Sequence, residues 1–365
     1  MVIKNIIKNT NFEKAGNIVN SGSYGCVFHP SLECENFKAS DKFVSKLMVY
    51  KDAIEEYQAS IVLKRIFDII LPDYKKYIIL SESICNITFI PKKDITGFEK
   101  CFLFEILHIR KEEVNIRLKD LIILNQRYGG IEFSYFKGSV AKVLSSFIEI
   151  IKKCIIVLNS HSVYHLDLKS SNILANKNKL VIIDWGNSSV NPTMENFRHH
   201  NRLIYNSPFG AVLFGEYFKS CYRIECVAPF IANHELTGHL KHIREIIYFF
   251  GLNPNCIEDY LTKIITTYTL EEYFKIFIHN VDLWGIVSCL SDLFMNDKYK
   301  DNPVFKKYGY KLFSYIYSDI GYLDSQKIIS LFELFRRSLE YKSLKTGLKT
   351  VKSSKGSKRT LKKSV

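Results

Sequence analysis

Along the first 128 residues short apolar runs alternate with polar breaks, a pattern that predicts strands over 42–49, 77–80, 102–107 and 118–124. One longer stretch, 52–70, carries Ile54, Ala59, Ile61, Val62, Leu63 and Ile66 at helical spacings and predicts a single helix packed on a small sheet. Gly129 and Gly130 break the pattern. Beyond them it turns helical: 140–158 reads as the longest helix, with further helical patterns over 240–250 and 270–277. Two short strands, 173–174 and 180–183, flank a turn over 175–179. A strand-rich half followed by a helical half predicts an α+β protein of two lobes.

Composition narrows the class. Hydrophobic residues make up 47% of the 365 and charged residues 24%, an ordinary globular balance that excludes disorder for most of the chain. No repeat of solenoid length is present. No run approaches the roughly 18 uninterrupted apolar residues that span a bilayer, so an integral membrane protein is not expected. The opening residues scatter lysines where a secretory signal carries an apolar core, which points to a cytoplasmic location, or to host cytoplasm or a virion for a viral protein. Nine cysteines without a CxxC pair then read as reduced thiols rather than a zinc site.

The net charge of +14 changes meaning once it is located. Residues 342–365 hold nine basic and no acidic side chains, and subtracting them leaves +5 for residues 1–341. Poor in apolar residues, this tail is expected to be disordered. It is either solubilising or an electrostatic contact for nucleic acid, a membrane surface or an acidic partner.

Candidate chemistry gathers at two places. In Ser21-Gly-Ser-Tyr-Gly-Cys-Val27, Gly22 and Gly25 precede a strand, where a missing Cβ lets backbone N–H groups approach phosphate oxygens. An ordinary glycine hairpin gives the same pattern. The denser signal is His165-Leu-Asp167-Leu-Lys169-Ser-Ser-Asn172, followed by Ile183-Asp184-Trp185-Gly186. Asp167, Asn172 and Asp184 fall at strand ends or in turns, where a scaffold can aim three oxygen-bearing groups at one point. A carboxylate that accepts a hydroxyl proton, with an amide and a second carboxylate holding Mg²⁺, is the set that phosphoryl transfer uses.

At these residues the sequence resembles the protein kinase superfamily, serine/threonine type, in the divergent form of kinase-like proteins of large DNA viruses. The resemblance implies a bilobal protein-kinase-like fold: a small β-rich N-lobe over 1–128 and a larger helical C-lobe over 129–341, with a helical insertion at about 210–280. It implies ATP and Mg²⁺ as cofactors and a protein as substrate. Asp167 then stands as the base, Lys169 as a stabiliser of the transferring phosphoryl group, Asn172 and Asp184 as Mg²⁺ ligands, and Gly22 and Gly25 as the glycine-rich loop. Phe43-Val-Ser-Lys46 resembles the strand whose lysine holds the phosphates, with Glu56 as its ion-pair partner and adjacent Glu55 left open. Gln126 falls in the strand and hinge between the lobes, and Val27, Val44 and Leu174 fall where adenine is sandwiched. Asn280-Val-Asp282-Leu-Trp284-Gly285 resembles the start of the central helix whose aspartate braces the catalytic loop.

The departures are Asn20 for the first glycine, Leu166 for the catalytic-loop arginine, Trp185 for the DFG phenylalanine, and no APE tripeptide. Pro208 lies 74 residues before Asp282, a long interval for the family. Two alternatives to a protein kinase stay open. One is a small-molecule phosphotransferase of the aminoglycoside and choline type, whose members often read I-D-W. The other is a pseudokinase scaffold.

Overall fold

The protein is described here by a computed structural model covering residues 16–22, 25–87, 89–90, 98–234 and 238–356. The expectations for the opening residues, the loop tip at Ser23 and Tyr24, and the last nine residues lie outside the described residues. The architecture is mixed α and β, with a sheet-rich N-terminal region and a helical C-terminal region. Two compact units are formed, Met1–Gly129 with Ile183–Gly186, and Gly130–Ile182 with Asn187–Val365.

In the first unit β1 (Asn17–Gly22), β2 (Gly25–His29), β3 (Phe43–Val49), β4 (Ser81–Cys85) and β5 (Leu121–Arg127) form an antiparallel sheet in the order β1-β2-β3-β5-β4. Strand alternation divides its side chains between two cores. Leu47, Cys26, Phe28 and Ile123 pack on one face against Leu103, Phe104, Ile109 and Val114, which come from the segment holding α2 (Phe102–Ile106) and α3 (Val114–Arg117). Met48, Ile122 and Leu124 meet Ala53 of α1 (Tyr50–Ile70) on the other.

Four sequence expectations change here. Where a strand is expected over 102–107, Phe102–Ile106 form a helix: Leu103 and Phe104 are buried while Phe102 and Ile106 are exposed, a division a short apolar run does not reveal. The strand expected over 77–80 falls at Ser81–Cys85, and that expected over 118–124 falls at Leu121–Arg127 after a 3₁₀ turn. The buried stripe of α1 is Ala53, Ser60, Leu63 and Phe67, whereas Ile61 and Val62 face solvent.

Six cysteines form disulfides, Cys26–Cys101 and Cys34–Cys85 in the first unit and Cys221–Cys226 in the second, where the sequence pointed to reduced thiols. The first two pairs join residues 75 and 51 apart, brought together by tertiary packing around one core. Cys154, Cys256 and Cys289 are buried free thiols.

The second unit opens with β6 (Ile131–Glu132) and a helix in two pieces, α4 (Val140–Ile150) and α5 (Ile156–Ser160), joined through a π-helical turn at Ile151–Ile155. β7 (Val163–Tyr164) pairs with β10 (Ser189–Val190), and β8 (Ile173–Asn176) joins β6 to β9 (Lys179–Ile182). Then follow α6 (Glu216–Ser220), α7 (Val227–Asn233), α8 (Gly238–Phe250), α9 (Cys256–Thr267), α10 (Leu270–Ser288), α11 (Ser291–Met295), α12 (Pro303–Ser318) and α13 (Ser325–Gly356).

Helix α10 absorbs the pattern over 270–277, so Asp282 lies inside a long helix and not at its start. The stretch Leu270–Met295 is long and apolar enough to cross a membrane, yet 83% of its apolar window is buried inside the protein, as in a core helix. Helix α13 runs to Gly356, into the segment expected to be disordered. Lysine is a good helix former, and Leu344, Leu348 and Val351 recur there at helical spacing.

Candidate active site

Lys46 projects from β3 on the same face as Met48, the face that α1 covers. Glu56 falls three residues after Ala53 and four before Ser60, within the buried stripe of α1, so it too faces the sheet. The two meet as an ion pair at 2.6 Å, with side-chain exposures of 17% and 11%. Glu55 is exposed, which settles the choice left open by the sequence.

Directly across the strands, Val27 opposes Lys46 and Val44 opposes Gln126, so these four side chains share one face. The Gln126 amide nitrogen donates to Glu56 Oε1 at 3.2 Å and to Ser81 Oγ at 3.0 Å. Gln126 therefore braces the ion pair, a role different from the nucleotide contact expected of it.

Gly22 pairs with Gly25 across the hairpin. A Cβ at Gly25 would lie 2.4 Å from the Leu47 carbonyl oxygen, so close strand packing already demands glycine there. Asp184 belongs to this unit and has a positive φ of 62°. The next residue, Trp185, is 3% exposed and packs edge-on against Phe67 of α1 at 5.2 Å.

In the second unit the segment from His165 to Asn172 is fixed from below by α10. Both Asp282 carboxylate oxygens accept backbone N–H groups, from His165 at 2.9 Å and Leu166 at 3.0 Å. With its amide turned to satisfy its neighbours, Asn159 donates to Asp282 as well, at 3.2 Å. Burial pushes the Asp282 carboxyl above its usual range, opposed by the His165 charge and these two N–H groups. One turn further along α10, Gly285 admits Leu168, whose Cβ and carbonyl oxygen would lie within 2.8 Å of any added Cβ. Leu166 is held at φ 67°, a conformation rare for leucine and the kind of strain that collects at functional sites.

That bracing presents Asp167. Its Oδ1 accepts from Asn206 Nδ2 at 3.0 Å, and its Oδ2 accepts from Lys169 Nζ at 2.7 Å and Asn172 Nδ2 at 3.2 Å. Asn172 Nδ2 also donates to the Asp167 carbonyl at 2.9 Å. Both of these bonds use the amide nitrogen and leave the Asn172 oxygen for a cation. Leu174 lies half-buried on β8 opposite Val181.

Asp282→Ala is expected to destabilise the protein by about 1–3 kcal/mol for each stranded N–H, measured by denaturant unfolding.

Asn206 is the functional side chain the sequence did not single out. It stands in Tyr205-Asn-Ser-Pro-Phe-Gly, 39 residues from Asp167, and is 2% exposed. Tyr205 holds it in place: the Tyr205 carbonyl accepts from Trp284 Nε1 at 3.2 Å and from Ser288 Oγ at 3.1 Å.

The structure thus joins Lys46, Glu56, Gln126, Val27 and Val44 within the first unit, and Asp167, Lys169, Asn172 and Asn206 within the second. Among the described residues no cluster of three or more His, Cys, Asp or Glu side chains is assembled. The Asp184 carboxylate of the first unit and the Asn172 amide oxygen of the second are each hard donors of the kind Mg²⁺ takes. No protein-family model matches the chain, and no curated protein matches it.

Proposed function

We propose that this protein is an ATP- and Mg²⁺-dependent serine/threonine protein kinase with a bilobal protein-kinase-like fold. One observation carries the reading: Asp167 is held by three side-chain donors on a loop that Asp282 braces. A carboxylate oriented in this way suits a base that receives the proton of an attacking hydroxyl. Lys169, already 2.7 Å from it, is placed to neutralise charge on the group in transfer.

Lys46, fixed by Glu56, is the candidate phosphate-binding cation, and Val27 and Val44 offer the apolar surface for adenine. Asp184 and Asn172 would hold Mg²⁺, which supplies charge neutralisation between the phosphates. The test is to offer the purified protein γ-labelled ATP with a protein mixture in parallel with aminoglycosides and choline. Label on serine and threonine is the expected result. Label only on the small alcohols selects the small-molecule phosphotransferase, and nucleotide binding without transfer selects the scaffold.

Leu166 has no cation to pair with a phosphate on the segment after Asp184, so a different anchor is required. Phe197 supplies one. It is 2% exposed and meets Phe277 at 5.0 Å, Phe274 at 5.9 Å and Phe214 at 6.2 Å. Such aromatic contacts contribute about 0.5–1.5 kcal/mol each beyond burial. Protein treated with phosphatase, and shown by mass spectrometry to carry no phosphate over 187–206, is expected to keep its initial rate. A large loss restored by rephosphorylation would contradict this.

A further inference from the structure

Helix α8 lies more than 60 residues beyond the catalytic loop, yet its first two turns reach the ring of Tyr205, the residue before Asn206. The His239 ring stacks on Tyr205 with centroids 5.9 Å apart and planes 23° from parallel, and the His242 ring meets it edge-on at 4.8 Å. Asn206, the residue after Tyr205, donates to Asp167, so the ring stack on Tyr205 adjoins the residue that holds the carboxylate taken as the base.

Charge around His239 is mainly cationic. Arg202, Lys169 and His242 act on it, opposed by Asp167. The neighbouring carboxylates are engaged: Asp167 by Lys169, Asn172 and Asn206, Asp292 by Ser170, and Glu245 lies 3.8 Å from His242. His242 is in addition tied to Ser291 at 3.3 Å. His239 is half-buried and Arg202 exposed, and among the described residues neither has a hydrogen-bond or ion-pair partner. Two cationic or protonatable groups thus remain open near Tyr205 and the catalytic-loop residues Asp167 and Lys169.

We propose that Arg202 and His239 form a recognition site for an acidic side chain of the substrate polypeptide, next to the accepting hydroxyl. The fate of that hydroxyl rests on the kinase reading, but the binding does not. Burial, and then the surrounding cations, hold the His239 ring below its ordinary pKa, so it is neutral near pH 7. A bound carboxylate reverses that balance and favours the protonated ring. Binding therefore takes up a proton, and affinity rises as pH falls from neutrality toward the lowered titration range of the free ring.

The test uses the full chain and fluorescent peptides carrying one serine flanked by either aspartates or asparagines. Anisotropy is read without nucleotide, in wild type, Arg202→Gln, His239→Gln and the double variant. The aspartate peptide is expected to bind about tenfold more tightly than the asparagine peptide, a preference that falls to about twofold in the double variant. His239→Gln is expected to remove most of the strengthening at low pH, which a merely structural loss does not do. Exposed Arg202 gives a variant with little risk to folding, and its loss alone is expected to weaken aspartate-peptide binding.

Equal affinity for the two peptides, or a preference that survives both substitutions, overturns the site. Aspartate-peptide binding that depends on both residues, but without phosphoryl transfer when Mg-ATP is added, keeps the site and overturns the kinase reading.

Discussion

Asp167→Asn is expected to slow phosphoryl transfer by about 10²–10⁴ while leaving nucleotide affinity nearly unchanged. The groups proposed to bind nucleotide, Lys46 with its Glu56 partner and Asp184, belong to the first unit and carry no substitution. What changes is the proton acceptor. An amide has no basic oxygen at neutral pH, and its NH₂ must face a neighbour that itself donates, because Lys169, Asn172 and Asn206 all point hydrogens at this side chain. Single-turnover rates and nucleotide titrations on the same sample separate the two quantities. Parallel loss of affinity and rate would show that Asp167 binds nucleotide rather than serving as the base.

Asp184→Asn is expected to abolish transfer. The substitution exchanges the anionic oxygen donor proposed for Mg²⁺ for a neutral amide, and little else moves. Asp184 has a φ of 62°, and asparagine tolerates that left-handed region as well as aspartate does. Trp185 keeps its packing on Phe67, so the turn keeps its anchor. A variant with wild-type unfolding but no transfer, and with weakened dependence of nucleotide binding on Mg²⁺, is the expected outcome. Near-wild-type turnover would remove Asp184 from the site.

Much of the candidate site could be read in the chain because its residues are close in sequence. Asp167, Lys169 and Asn172 lie within six positions, and strand and turn signals around them fix their directions. The choice between Glu55 and Glu56 was also legible in principle. The register through Ala53, Ser60, Leu63 and Phe67 selects Glu56, but the apolar count was drawn instead to Ile61 and Val62, which are exposed. Binary patterning fails where one polar residue sits in a buried stripe.

Other features depend on pairings that no local window contains. Asn206 reaches Asp167 from 39 residues away, and Gln126 turns to Glu56 across 70. The first unit's cysteine pairs join positions 75 and 51 residues apart, beyond any local window. Residues 102–107 are ambiguous because six apolar-rich positions satisfy strand and helix alike. Helix α8 had a clear helical pattern, yet nothing in it showed that His239 would meet Tyr205.

The most direct test of the kinase reading is transfer from γ-labelled ATP to serine or threonine by the purified chain, with wild type and Lys46→Met measured side by side, with and without Mg²⁺. Label that requires Mg²⁺ and is lost in Lys46→Met, while both proteins unfold alike, is the expected result. Absence of any label from wild type despite tight Mg-ATP binding, or equal labelling by Lys46→Met, would contradict it.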